Sequence, residues 1–167
     1  GRRIYLIAYS LASIATLSWV FVAALGLDYV ELWPSSVWQA WMSLVLSPIA
    51  LFLLLAGLIS PNAVSVGFRT QTRHLSAITA ITRHPVLWGF AIWAGGHIPP
   101  NGDLRSVLLF GILLLFALAG IIATEHRARR RLGSEWPAIE AATSIVPFAA
   151  VLQGRARLRA DLPLLIG

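Results

Sequence analysis

Long apolar runs broken by short polar clusters dominate this chain. From Ile4 to Leu27 no side chain is charged. At about 1.5 Å of rise per residue, a helix there crosses a hydrocarbon core of roughly 30 Å. Asp28 and Glu31 close the run, and Trp33-Pro34-Ser35-Ser36 reads as a turn and helix start. A second run extends from about Val37 to Ile59 with Pro48 inside it, which predicts a kink of the kind tolerated between packed membrane helices. Ser60-Pro61-Asn62 ends that helix. Ala63 to Arg83 is more polar, holding Arg69, Arg73, His74 and Arg83, and reads as a loop plus a short helix at the membrane surface. A third run, about Pro85 to Ile98, is too short to span alone. It spans only if its helix starts before Pro85, or if its ends lie in protein or thinned bilayer. Pro99-Pro100-Asn101-Gly102 is a turn.

The fourth run, Ser106 to Thr124, has Asp103 as a candidate N-cap. It is predicted to continue through Glu125, His126 and Arg127 to Arg131, where Leu132-Gly133 stops it. Ser134-Glu135-Trp136-Pro137 reads as an N-cap and first turn of a helix to about Ala142, and Thr143 to Leu152 is apolar but too short to cross. The expected fold is an all-α polytopic membrane bundle, with about four transmembrane helices and short interfacial helices, in one domain over residues 1–167.

Composition supports the pattern. The 167 residues are 57% hydrophobic and 12% charged, with a mean hydropathy of +0.76. An ordinary soluble domain carries roughly 25% charged residues. Neither a disordered tail nor a water-soluble domain fits. There is no cysteine, which removes disulfides, thiolate zinc sites, iron–sulfur clusters and thiolate-ligated haem. All 13 basic residues are Arg, and the net charge is +6. Their positions decide what that means. Arg2, Arg3, Arg69, Arg73, Arg83, Arg127, Arg129, Arg130 and Arg131 fall on one side of a four-crossing topology. Arg105 falls on the other with Asp28, Glu31 and Asp103. The positive-inside rule makes the Arg-rich side cytoplasmic, together with the N-terminus and the Arg155–Arg159 tail. No Arg stripe exists apart from a membrane flank, so nucleic acid is not an expected partner; the lipid bilayer is. Trp33, Trp38 and Trp41 suit an interfacial belt. Arg2-Arg3 precedes an apolar run longer than a signal core of roughly 7–15 residues, so a retained helix is expected. A first residue other than Met and a last segment that begins a new apolar run suggest a chain cut at both ends.

The densest chemistry is Thr82-Arg83-His84-Pro85, leading into Trp88, Gly89 and Trp93. Pro85 suits a first helical turn, where its missing N–H costs nothing. His84 then stands at a helix N-terminus, whose dipole favours the neutral imidazole that ligates metal. The plainer reading has Arg83 anchored at headgroups and His84 capping the helix. His97 follows Ala94-Gly95-Gly96 at the other end, where Ala91 and Gly95 form a small-xxx-small pair for close backbone approach. Its plainer role is a bond to a loop carbonyl. Thirteen residues separate His84 from His97, about 20 Å along a helix, so one iron cannot take both. Glu125 and Arg129 are spaced for an i,i+4 pair. Alternatively, Glu125 or His126 faces a cytoplasmic cavity shared with Arg83 and His84, with the Trp136 segment as a further wall.

The run from Arg83-His84-Pro85 through Trp88-Gly89 and Trp93-Ala94-Gly95-Gly96-His97 to Asn101-Gly102-Asp103-Leu104 resembles the NnrU family of bacterial membrane proteins. Gly1-Arg2-Arg3-Ile4-Tyr5, Arg130-Arg131-Leu132-Gly133 and Thr143-Ser144-Ile145-Val146-Pro147-Phe148 add to the resemblance. It implies a multi-pass protein of the bacterial inner membrane, first linked to nitric-oxide and denitrification gene clusters, with respiratory membrane proteins as possible partners. It also implies kinship with plant and cyanobacterial haem-b enzymes that isomerise a polyene double bond, hence a lipophilic substrate. In that reading His84 ligates the iron and Arg83 pairs with a haem propionate, with Glu125, His126 and His97 as further cofactor-binding candidates. A weaker similarity, in Arg83-His84-Pro85, Glu125 and Gly133-Ser134-Glu135-Trp136, is to isoprenylcysteine methyltransferases that hold S-adenosylmethionine. The second position of their acidic pair is His126 here. A non-catalytic accessory role in a nitrogen-oxide complex is the third reading.

Overall fold

A computed structural model describes residues 1–67 and 76–158. Arg69, Arg73, His74 and Arg159 lie outside the described residues. The apolar runs become helices α1 (Arg2–Leu25), α2 (Val37–Ile59), α4 (Pro85–His97) and α5 (Leu104–Leu132). Short helices α3 (Ala77–Ile81), α6 (Trp136–Ala142) and α7 (Ala149–Leu152) join them. The protein is all-α, and α1, α2 and α5 are long and apolar enough to cross a membrane. The helix α4 starts at Pro85 and no earlier, because the segment before it is extended and Pro85 occupies the first turn. It remains a 13-residue helix held between α2 and α5.

The caps follow local chemistry. Asp103 starts α5: its carboxylate accepts from the Ser106 amide at 3.0 Å and the Ser106 hydroxyl at 2.6 Å. At α2, the Ser36 amide donates to Gln39 Oε1 at 2.6 Å. Gly133 ends α5 at a φ of 48°, in the left-handed region that glycine tolerates. The next turn differs from expectation. A 3₁₀ turn over Gly133–Glu135 intervenes, and Glu135 rather than Ser134 precedes α6.

The helix α4 runs antiparallel to both neighbours. Against α2, Gly57 meets Pro85, Gly89 meets the Ala50 carbonyl and Gly96 meets Leu46. Against α5, Leu87 meets Gly120 and Gly95 faces Leu114. The small-residue seam of α4 is therefore Gly89, Ala91, Ala94 and Gly96, with both alanines buried. It is not the expected Ala91–Gly95 pair, since Gly95 has room beside it. Two apolar clusters close the Arg-rich end: Leu53, Ala56 and Ile78 packed by Trp88, and Val64, Ala128, Leu132, Trp136 and Ile139. At the other end Trp33 donates its indole N–H to the Pro99 carbonyl at 2.8 Å. Its place is against the 99–102 turn, not in a lipid belt with Trp38 and Trp41, which are exposed. The outer faces carry Phe52, Leu55, Ile112, Leu115 and Phe116, all exposed. A water-soluble monomer does not present so large an apolar surface, and hydrocarbon is its natural solvent.

Candidate functional site

The segment Thr82–Pro85 is pinned at the mouth of α4. The Arg83 amide donates to the Ser144 carbonyl at 2.9 Å, and the Asn62 side chain donates to the Arg83 carbonyl at 3.0 Å. The Ile145 carbonyl accepts from the Thr82 hydroxyl at 2.7 Å and from the Trp88 indole at 2.9 Å. The Phe148 amide donates to the Ile81 carbonyl at 2.8 Å. Residues 143–148 thus lie as a strap across this mouth, and Arg155 ties the strap down by donating to the carbonyls of Glu140, Ala141 and Thr143.

Under the strap, His84 has no exposed surface and donates from Nε2 to Glu125 Oε2 at 2.9 Å. The Thr124 hydroxyl lies 3.3 Å from Nδ1 and gives its proton to the Gly120 carbonyl at 2.7 Å. The second Glu125 oxygen faces Arg83 Nη2 at 3.4 Å, an ion-pair distance without a hydrogen bond. Arg83 is 5% exposed, and its Nε and Nη1 have no hydrogen-bond partner. Its guanidinium instead lies 5.2 Å from the Trp136 ring centroid, and that of Arg129 lies 5.3 Å from the same ring. Trp136 in turn donates to Glu140 at 3.0 Å, which pairs with Arg129.

The structure therefore joins Arg83, His84 and Glu125 and leaves out His126. That ring is exposed and bonds the Ile122 carbonyl of its own helix. Arg83 is buried and not a headgroup anchor. Glu125 pairs with Arg83 and His84 of the α4 mouth and not with Arg129, whose side chain reaches Glu140 and the Trp136 ring instead. Burial lowers the pKa of His84 below the usual imidazole value; the Glu125 hydrogen bond and charge work the other way, and Arg83 adds to the lowering. Desolvation by burial is the largest cause of that lowering.

Linkage fixes the sign of a pH effect. A histidine whose folded pKa is depressed contributes full stability above its unfolded value of about 6.5. That contribution is lost as pH falls from there through the folded value. We expect the melting temperature in detergent to be level above that pH and to fall below it, with a slope of at most about 1.4 kcal/mol per pH unit from this one proton. His84→Asn should flatten that limb. A wild-type decline that persists unchanged in the variant would assign it to other groups.

His97 sits at the opposite end of α4. Its Nδ1 donates to the Trp93 carbonyl at 2.7 Å, the carbonyl of its own helix and not of a loop. Nε2 has no hydrogen-bond partner among the described residues. The ring packs against both Trp93 and Phe110, at centroid distances of 4.9 and 5.1 Å, and those two rings also meet each other at 5.6 Å, so the three form a triangle. Asn101 donates to the His97 carbonyl at 2.7 Å and holds the helix end.

The family model described as NnrU protein matches residues 1–161. The chain belongs to the NnrU family. This NnrU protein is 31% identical over 86 residues to the chloroplastic 15-cis-zeta-carotene isomerase of Arabidopsis thaliana. The match covers 52% of this chain and 23% of that protein. It is 33% identical over 86 residues to the Zea mays protein of the same description, covering 52% and 24%. The matched stretch thus spans about a quarter of these curated relatives. No solved structure matches significantly.

Sequence reasoning missed two partners in this NnrU protein: Thr124 against His84, and Phe110 against His97; the Trp136 segment, expected as a wall beside Arg83 and His84, does meet Arg83. Thr124 adjoins Glu125 on a helix face already under suspicion, so that signal was present. The Phe110 contact joins distant segments and has no local signature.

Proposed function

We propose that this NnrU membrane protein isomerises a double bond of a lipophilic polyene, with haem b as its cofactor. The observation that carries the reading is the imidazole of His97. Metal-ligating histidines give one ring N–H to a carbonyl or carboxylate and present the other nitrogen. His97 gives its Nδ1–H to the Trp93 carbonyl beside two aromatic rings, and its Nε2 has no partner among the described residues. His84 fits less well because its ring has no exposed surface, with Nε2 bonded to Glu125 and the Thr124 side chain packed 3.3 Å from Nδ1. His97 is therefore the residue that would hold the cofactor, and the buried Arg83–His84–Glu125 network would hold the mouth of α4, at the other end of that helix. When bound, haem would supply a redox-tunable iron able to polarise a conjugated chain. The similarity to the carotene isomerases supports the substrate class.

By the positive-inside rule the Arg127–Arg131 cluster supports a cytoplasmic side for that end of α5, in a bacterial plasma membrane. S-adenosylmethionine finds less support, because Arg83 and Glu125 face each other and are buried.

The test is the visible spectrum of the full-length protein, expressed with haem supplementation and purified in mild detergent. A Soret band that shifts on reduction and is lost in His97→Ala, but kept in His84→Asn, is the expected result. A featureless wild-type spectrum would end the haem reading and favour an accessory role. Loss of the band only in the His84 variant would return the ligand to His84.

A further inference from the structure

Between α2 and α4 lies an apolar groove of about 320 Å³, outside the buried polar network. Ser47, Leu51 and Leu54 form one wall, Phe90 and Trp93 the other, and Gly89 the floor. At about 1.5 Å per residue, Ser47 to Leu54 gives it a length of roughly 10 Å along α2. It opens on the lipid-facing surface, since rim residues Leu51 and Phe90 are 56% and 47% exposed. The groove is thus continuous with the surface that meets hydrocarbon, and Ser47 brings its one hydroxyl. Trp93 lines this groove and also touches the His97 ring, at 4.9 Å between centroids and an angle of 46°. One indole therefore separates a hydrocarbon-accessible groove from the imidazole with the free nitrogen.

We infer that this groove takes a segment of a conjugated polyene sideways from the bilayer and lays it against Phe90 and Trp93, one ring away from His97. The inference rests on the polyene reading above and assigns its binding site. The physical reasons favour a polyene over an ordinary acyl chain. A conjugated chain is flat and stiff, so it loses little freedom on binding, and it presents a π face to two aromatic walls. A saturated chain gains only the apolar contact that it already has in the bilayer.

The test is photolabelling of the full-length protein in its membrane. One probe is a conjugated polyene alcohol carrying a diazirine; the other is a saturated chain of equal length with the same group. Adducts of the polyene are expected on residues 51–54 and 90–93, reduced about tenfold by Leu51→Trp, which fills the rim. Leu55→Trp, equally lipid-exposed but outside the groove, should leave the labelling unchanged. Polyene adducts spread evenly over Leu55, Leu115 and Phe116 would overturn the assignment, and so would equal labelling of the groove by the saturated probe. Polyene isomerisation by the same membranes is assayed separately. Groove labelling without turnover would sink the isomerase reading and leave the site; turnover with scattered labelling would do the reverse.

Discussion

Glu125→Ala is expected to destabilise the protein by about 3–5 kcal/mol, the range for removing one partner of a buried ion pair. The carboxylate is the counter-charge to Arg83 and the acceptor for His84 Nε2. Deleting it leaves a guanidinium that is 5% exposed with its Nε and Nη1 already unpartnered, and a buried imidazole N–H with nothing to bond. Trp136 stacking offsets a small part of that cost. Glu125→Gln should fall between Ala and wild type, since the amide can still accept from His84 but cannot neutralise Arg83. The double variant Arg83→Met/Glu125→Leu should recover most of the loss, because it removes both charges together. Thermal unfolding in one detergent measures all four. A Glu125→Ala midpoint equal to wild type would show that Arg83 finds solvent or a lipid phosphate, and that the network holds nothing together.

The helix pattern was readable from sequence because each membrane helix is a continuous apolar run with a distinct stop. Val37 and Ile59 bound α2 as the run suggests, and Asp103 caps α5 as its position before the run suggests. Arg83, His84 and Glu125 were legible as chemistry because ionisable groups beside apolar runs are costly unless paired. Which carboxylate met which cation was not legible. Glu125 has an Arg at i+4, and local spacing favours that pair. Only the antiparallel packing of α4 on α5 shows that position 125 faces Arg83, leaving Arg129 to Glu140. His126 was suggested by adjacency to Glu125, yet neighbours in a helix point about 100° apart, and one inward residue implies an outward one. The Trp33 contact with Pro99 was hidden for a similar reason, since a tryptophan between membrane helices has the same local signature in a lipid belt as in a loop contact.

Gly89→Ala should be the most damaging of the single-methyl substitutions along α4. A Cβ there would stand 2.8 Å from the Ala50 carbonyl oxygen and 3.1 Å from the Leu54 amide nitrogen, both backbone atoms of α2. Neither can rotate away, so α2 and α4 must separate, a change of about 1–3 kcal/mol for overpacking. The gain in helix propensity from Gly to Ala, about 1 kcal/mol at most, works against it. Gly96→Ala meets the Leu46 side chain at 3.2 Å, which can shift by a few tenths of an ångström. Gly95→Ala meets Leu114 at 3.9 Å, an ordinary contact, and keeps the propensity gain. The expected order of melting temperatures is therefore Gly95→Ala at or above wild type, then Gly96→Ala, then Gly89→Ala clearly below. Gly57→Ala adds a test of the mouth of α4, since its Cβ would press on the Pro85 ring at 2.8 Å, next to His84. If Gly89→Ala melted with Gly95→Ala, α2 and α4 would not pack backbone to backbone at this point. The floor of the groove, and with it the alignment of Trp93 over His97, would then have to be placed differently.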